Sequence, residues 1–261
     1  MYAIATGARV DTKLQWLACA LLGCVAAASH AADGLSGSLG ATTDYVHRGI
    51  SQSDGHAALQ ASLVYWHPSG FYAGAWGSTL HRGVPYGYES MYGERTYGTR
   101  TSHVEVDLFA GFSAPIGTDW TMDLKVVSYL FPDDPAPVDY DYVELSAGVA
   151  WRQRLFASLS VAPRTTWIAR AGGGRDRTAM DGEVSWRQPV GAWFAMAAGA
   201  GYRQLLVPGR NGYFYGSASA ALQLRHGSVE LGWFTTDSTA GWLFGDRLAG
   251  SRTALSARVS F

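Results

Sequence analysis

Side chains able to do acid–base or metal chemistry concentrate near the start of the chain, in the stretch DYVHRGISQSDG from Asp44 to Gly55. It holds two acids, a histidine and an arginine among turn-forming residues. Together with His47, the nearby residues His56, His81 and His103 form a group of four histidines in or beside the first two long connections. Imidazole is a good metal ligand, but no H-x-x-x-H or comparable spacing relates these histidines. The sequence therefore predicts neither a metal site nor a cofactor.

The same residues offer weak support for catalysis. A hydrolase acting on lipid would pair one histidine with a serine and an acid, and no such set stands at a recognisable spacing. The glycine-rich run AGGGRDR (171–177) lacks the strand–loop–helix setting of a phosphate loop and is interpreted as an outer loop. We expect no catalytic residues and no enzymatic activity, and keep a lipid-directed enzyme as the less favoured alternative.

The elements that would position these residues follow a strand period. Apolar residues alternate with small or polar ones, and no amphipathic helix of useful length is apparent. About twelve such segments occur, each of the length that a tilted membrane strand needs. They are 37–45, 58–66, 70–80, 104–112, 120–130, 142–151, 155–167, 180–188, 193–205, 213–225, 228–236 and 253–261.

The connections between these segments alternate in length. Short ones, such as 67–69 and 152–154, alternate with long ones, such as 46–57, 81–103 and 237–252. Aromatic residues border both kinds, as expected at the two membrane–water interfaces. Short turns that alternate with long loops, together with an even number of strands, are typical of an outer-membrane barrel, whose long loops face the outside of the cell. The predicted fold class is an all-β, antiparallel up-and-down transmembrane barrel of about twelve strands.

The N-terminal segment resembles an export signal. Arg9 and Lys13 precede the apolar run 14–28, and small residues flank a cleavage point after Ala31. We predict a signal peptide over 1–31 and a barrel over 32–261, with LLGC (21–24) as an alternative lipoprotein box. Both cysteines fall within this segment, so no disulfide is expected in the mature chain.

Charge is sparse, and one face of the predicted strands carries nearly all of the strand charges. Only 16% of residues are charged and the net charge is −1, which argues against a nucleic-acid partner. The apolar face should meet outer-membrane lipid, and the charged face should enclose small polar solutes. The predicted pore-lining residues are Asp44, Arg48, Glu105, Asp107, Asp123, Lys125, Glu144, Arg164, Asp181, Glu183, Arg187, Arg203, Arg225, Glu230, Arg252 and Arg258.

Acids dominate the fourth to eighth segments and arginines the seventh to twelfth. Opposed walls of charge would create a transverse field across a pore. The alternative is that these charges pair across a narrow lumen and stabilise the barrel. In either case the stretch 44–55 is predicted to be the first outer loop, folding inward or capping the mouth of the barrel.

Several motifs resemble the TorF family of proteobacterial porins: DYVHRGISQSDG, SGFYAGAWGS (69–78), EVDLFAGF (105–112) and YLFP (129–132). The likeness covers about residues 37–132. Ala57 and Ala58 stand where the family usually has a proline before the second strand. The resemblance implies an outer-membrane barrel with a channel role and supplies no catalytic or ligand residues.

We therefore expect a porin-like channel for passive diffusion of small polar or charged solutes in the bacterial outer membrane. A plugged surface or adhesive barrel is the alternative, because the tyrosine-rich connection 81–103 could contact a partner or fold into the mouth.

Overall fold

The computed structural model describes residues 34–89, 95–134, 140–165, 177–206 and 212–261. The predicted signal peptide and its cleavage point lie outside these residues, as do Tyr92 and most of the glycine-rich run 171–177.

The chain forms a closed antiparallel barrel of twelve strands, as the alternation predicted. The barrel strands are β1 (Gly34–Thr42), β4 (Ala58–Trp66), β5 (Phe71–Glu89), β6 (Arg95–Ile116), β7 (Trp120–Leu130), β8 (Tyr142–Trp151), β9 (Leu155–Thr165), β10 (Arg177–Val190), β11 (Phe194–Leu205), β12 (Gly212–Leu224), β13 (Gly227–Thr236) and β14 (Arg252–Ser260). Two short strands, β2 (Val46–His47) and β3 (Ile50–Ser51), form a separate two-stranded sheet.

The barrel closes where the first strand meets the last. β1 pairs with β4 on one side and with β14 on the other, so neither edge is left free. Backbone bonds between Gly37 and Phe261 extend this seam, at 2.8 Å and 3.0 Å. The aromatic ring of Phe261 lies directly over Gly37, at a distance that would leave no space for a Cβ atom there. The C-terminal aromatic residue thus covers the end of the seam.

The outer surface of the barrel is apolar. Leu59, Leu63 and Tyr65 alternate along β4 and are 67%, 46% and 50% exposed. Leu159 on β9 and Leu231 on β13 are exposed to a similar degree. Acids and arginines are instead among the buried side chains, including Glu105, Asp123, Glu144 and Arg203. This inside-out distribution matches the two faces predicted for each strand.

The second long connection differs from its prediction as a loop. β5 and β6 continue as a paired hairpin as far as Glu89 and Arg95. Gly83, Pro85 and Gly87 are residue types common in turns. In the structure they instead lie in β5 and pair with Thr101, Thr99 and Tyr97 of β6. The connection 81–103 is therefore largely an extension of two strands beyond the end of the barrel.

The last long connection contains a short helix, α1 (Ser238–Phe244). Asp237 caps it, because its carboxylate accepts hydrogen bonds from the backbone N–H groups of Thr239 and Ala240. Within the part of the chain that the structure describes, no helix has the length and apolar character needed to cross a membrane.

Candidate functional site

The first long connection, residues 43–57, turns back into the barrel, and we call it the inward loop. Its strands β2 and β3 pair as a small hairpin, Val46 with Ser51 and His47 with Ile50. Val46, Ile50 and Ser53 are each 1% exposed. The loop therefore fills the lumen at the end of the barrel that carries the long connections.

The tip of this hairpin depends on a glycine. Arg48 and Gly49 both have positive φ, 51° and 77°, as a two-residue hairpin turn of the primed type requires. A Cβ atom on Gly49 would lie 2.5 Å from Cγ2 of Thr236 and 2.9 Å from Cβ of Tyr215. Only glycine satisfies both the conformation and the close approach, so the tip rests directly against β12 and β13.

Arg48 extends from this tip to the opposite wall. Its Nη1 and Nη2 donate to the two carboxylate oxygens of Glu144, at 2.8 Å and 2.7 Å, and Nη2 also donates to Ser160 Oγ at 3.2 Å. Its Nε lies 3.3 Å from Asp181 Oδ2. These partners stand on β8, β9 and β10, half-way around the barrel from β1. One bidentate arginine thus joins the loop to the far side of the lumen.

The base of the inward loop is held at the closing seam. Asp44 accepts hydrogen bonds from Ser51 Oγ at 2.5 Å, Ser53 Oγ at 3.0 Å and Arg252 Nη1 at 2.9 Å. Asp44 is 6% exposed. Because the same carboxylate joins both arms of the loop to β14, the hairpin is fixed at its base as well as at its tip.

Tyrosines satisfy most of the other buried acids. Tyr215 donates its hydroxyl toward Asp181 and Glu183, each at 2.9 Å, and Tyr72 does the same toward Asp123 at 2.9 Å. Tyr215 lies flat across the wall because its cross-strand neighbour is Gly201, where any Cβ would collide with the ring. These contacts keep the acidic side chains oriented along the wall.

An aromatic and aliphatic cluster surrounds the hairpin inside the barrel. Ile50 and Tyr45 of the loop belong to it, and the Tyr45 ring lies 5.4 Å from that of Trp76. Tyr129 and Tyr142 stack at 4.4 Å and nearly parallel. The wall residues of the cluster are Ala58, Leu80, Val127, Tyr129, Tyr142, Ala162, Ala179, Leu205, Tyr213 and Tyr215.

The last long connection covers the inward loop from outside. Leu248 O accepts a hydrogen bond from Ser51 N at 2.9 Å, and Arg247 pairs with Asp54. Leu243 of α1 is buried, and Phe244 makes an edge contact with Tyr213 at 5.4 Å. The two connections therefore form one packed cap over the mouth.

The predicted pore-lining residues divide into groups. The structure gathers Arg48, Glu144, Asp181 and Arg203 around the tip of the inward loop, with Arg203 Nη1 3.9 Å from Glu144 Oε2. Asp44 and Arg252 meet at the loop base. The remaining residues on inward strand positions are half-buried or buried: Glu105, Asp107, Asp123, Lys125, Glu183, Arg187, Glu230 and Arg258.

Two predicted residues fall elsewhere. Arg164 is exposed within a β-bulge, where Pro163 and Arg164 of β9 oppose the single residue Thr178 of β10 and the strict alternation is interrupted. Arg225 is exposed in the two-residue turn after β12, at the opposite end of the barrel from the inward loop. Neither residue joins the charged group around Arg48.

A family model described as "Bacterial protein of unknown function (Gcw_chp)" matches residues 26–235. The chain belongs to the Gcw_chp family. No curated protein sequence matches it.

This Gcw_chp chain is similar to solved outer-membrane proteins. The NanC porin has 10% sequence identity and a TM-score of 0.52, over 87% of this chain and 98% of that one. The KdgM porin has 7% identity and a TM-score of 0.49, over 87% and 99%. The toluene transporter TodX of Pseudomonas putida has 12% identity and a TM-score of 0.47, over 87% and 89%. The likeness to the NanC porin shows a shared barrel fold.

His47 is neutral within the inward loop of the Gcw_chp chain. Burial lowers its pKa to about 3, and the positive charges of Arg48 and Arg203 act in the same direction. Its ring meets Tyr129 edge-on, with centroids 6.1 Å apart. Because the buried ring is hard to protonate, the packed loop is destabilised once the pH falls below the ordinary pKa of histidine.

Sequence spacing missed one group of residues at the rim of the barrel. Asp54, His56 and His81 offer ligand atoms that all lie within 4.8 Å of one another. The two histidines are 25 positions apart in the chain, so no short motif relates them. The signal available in the sequence was the number of histidines in the first two long connections.

Proposed function

We propose that the protein is a porin-like outer-membrane channel for passive diffusion of small polar or charged solutes, and that the inward loop sets its narrowest point. The observation that carries this proposal is the closed barrel with an apolar exterior and an arginine-bearing loop inside the lumen. The barrel fold shared with the NanC porin agrees with a channel role.

The apolar exterior supports a location in the outer membrane. Large side chains such as Leu39, Leu108, Leu124 and Val259 point outward and are well exposed in the isolated chain. A closed barrel pairs all its backbone polar groups without water, and an outward charge at mid-depth would cost about 2–4 kcal/mol. We propose that residues 1–31 direct export and that residues 32–261 insert into the membrane with the long connections facing outward.

Charge within the lumen supports selection for polar solutes. The constriction combines Arg48 and Arg203 with Glu144 and Asp181, so a passing solute would meet paired charges and tyrosine hydroxyls. Toward the short-turn end, half-buried Glu230, Arg258, Lys125 and Arg187 would line the wider part of the passage. Transport of this kind needs no cofactor and no catalytic residue, and the TorF resemblance implies the same role.

A plugged surface barrel is the second candidate, and the cap itself favours it. The hairpin is held at tip and base and is packed among buried aromatic rings. Such a cap would have to move, at least in part, before solutes could pass.

Planar-bilayer recording of the refolded mature chain separates the two candidates. The channel proposal predicts reproducible unitary steps, brief or small in the wild type because the inward loop occupies the lumen. Silence across many verified insertions, both of the wild type and of a variant with the loop loosened, would overturn the channel proposal and favour the plugged barrel.

A further inference from the structure

Three side chains that could bind a metal meet at the rim of the barrel that carries the long connections, away from the charged group around Arg48. The rings of His56 and His81 lie 4.4 Å apart between centroids, and Asp54 stands beside them. Asp54 and His56 belong to the inward loop, while His81 belongs to β5 of the barrel wall. The group therefore lies where the loop leaves the lumen and passes over the rim.

The fold places each of these residues by a specific backbone feature. Asp54 and Gly55 both adopt positive φ, 55° and 74°, in the turn that precedes His56. His81 lies in a β-bulge, where Leu80 and His81 together oppose the single residue His103 of β6. A hydrogen bond of 3.1 Å from His81 N to Gln52 O fixes the loop against this bulge. The bulge and the turn bring the two histidines together.

The hydrogen bond of His56 leaves one ring nitrogen available. Its Nδ1 lies 3.0 Å from the carbonyl oxygen of Ser53, and a carbonyl can only accept, so Nδ1 carries the proton. Nε2 therefore keeps its lone pair. A metal-binding histidine typically has its other nitrogen held in this way by a carbonyl or a carboxylate.

The neighbouring His103 supports His81 from the other side. Its ring meets that of His81 edge-on at 6.1 Å, and its own Nδ1 lies 3.1 Å from Asp133 Oδ2. Asp133 also accepts from the backbone N–H groups of His103 and Val104. His103 is thus held in one orientation and restricts the ring of His81.

We propose that Asp54, His56 and His81 bind a divalent transition metal of the Zn²⁺ or Ni²⁺ type, which joins the inward loop to the barrel wall. Imidazole with one carboxylate suits these ions, whereas Mg²⁺ and Ca²⁺ prefer oxygen ligands alone. Ligand atoms around tetrahedral zinc lie about 3.3 Å apart, so side-chain rotations at this rim would close the site around the ion. Water would complete the coordination.

Arg247 competes for the same carboxylate. It forms an ion pair with Oδ2 of Asp54, and its own side chain is 75% exposed. An exposed guanidinium gains little from such a pair and can move away when a cation arrives. Arg247→Gln should therefore bind Zn²⁺ severalfold more tightly than the wild type, since it removes a competing positive charge.

Isothermal titration of the mature chain in detergent with ZnCl₂ tests the site, using protein freed of any polyhistidine tag. We expect one Zn²⁺ per chain in the wild type. Loss of an outer-shell partner alone costs about 10- to 100-fold in affinity, so His56→Ala and His81→Ala should each lose at least tenfold. His67→Ala and His226→Ala remove exposed histidines from short turns at the other end of the barrel and should leave binding unchanged.

Wild-type protein that binds no Zn²⁺, or that loses equal affinity in the rim and short-turn variants, would overturn the proposal. Heat-modifiable electrophoretic mobility reports whether each variant has folded as a barrel. Should a rim variant fail to fold, X-ray absorption of the zinc-loaded wild type decides the matter. Two imidazole nitrogens per zinc are expected there, and a shell of oxygen alone would contradict the site. Neither measurement depends on whether the barrel conducts.

Discussion

Removal of the Arg48 side chain should release the inward loop from the far wall. In the wild type this guanidinium contacts Glu144, Asp181 and Ser160, and the side chains of Arg48 and Glu144 are only 9% and 6% exposed. Deleting one member of a buried ion pair costs roughly 3–5 kcal/mol, because the remaining charge stays desolvated. Arg48→Ala leaves two carboxylates in that state while the loop is in place. Water can reach them when the loop moves out.

A cost of only 3 kcal/mol already shifts the equilibrium between the packed and the displaced loop strongly. At 1.36 kcal/mol for each factor of ten, 3 kcal/mol raises the ratio of displaced to packed loop roughly 150-fold. Single-channel recording should therefore show a large rise in open probability, with longer open events, for Arg48→Ala. Arg48→Lys should fall between the two, since an ammonium keeps the charge but loses the bidentate geometry.

Arg152→Ala is the matched control for this experiment. Arg152 pairs with Asp119 at the short-turn end, where the two side chains are 58% and 40% exposed. An exposed pair contributes about 0–1 kcal/mol, so its loss should leave gating unchanged. Arg48→Ala protein that folds as a barrel yet gates like the wild type would refute the role assigned to Arg48.

Three further predictions concern the loop and the wall. The pKa of His47 is lowered from 6.5 to about 3 in the packed loop. The packed loop is therefore fully stable with respect to His47 above pH 6.5, and it is progressively destabilised as the pH falls toward 3. At pH 5 the free energy that favours the packed loop over the displaced loop falls by about 2 kcal/mol. Open probability should therefore rise on acidification, and His47→Gln should flatten the dependence of open probability on pH. Gly49→Ala should lower the thermal midpoint clearly more than Gly55→Ala, since both have positive φ but only Gly49 lacks space for a Cβ. Arg203→Gln should shift reversal potentials toward cation selectivity in a salt gradient, whereas Arg225→Gln in its exposed turn should not; equal shifts in both would contradict the placement of the constriction.

The strand pattern was readable from sequence because a closed barrel with an apolar exterior imposes it on every strand. β4, β7 and β8 have the predicted bounds, and most other barrel strands differ from theirs by one to three residues. Alternation with a period of two is a local property, so it can be read without knowing which strands pair. The pairing of β1 with β14 then leaves no strand edge free.

Residue placement failed where the period is broken. A β-bulge shifts the register beside Arg164, and another brings His81 toward the inward loop. One extra residue changes which face a side chain takes. Pro163 marks the first bulge, since proline inside a strand is confined to edges and bulges, whereas Leu80 and His81 at the second bulge give no such signal. The sequence places four histidines in or beside the first two long connections, but the close approach of His56 and His81 depends on the second bulge.

The course of the inward loop also required the structure. The sequence predicts Asp44 and Arg48 as pore-lining residues and the stretch 44–55 as an outer loop that folds inward or caps the mouth. Arg48 pairs with Glu144 and Asp181 on the opposite wall. Long-range pairing of this kind is set by closure of the whole barrel, which local spacing does not encode. Arg48 therefore links the inward loop to acids of the far wall.

Liposome swelling tests the account's central claim most directly, namely that the barrel is a channel narrowed by its own inward loop. The mature wild type and a variant with residues 46–51 replaced by a short glycine–serine link would be reconstituted at equal density and challenged with sugars of graded size. Slow swelling with the smallest sugar is expected for the wild type, and fast swelling with larger sugars for the variant. A folded, inserted variant that swells no faster than protein-free liposomes would contradict it.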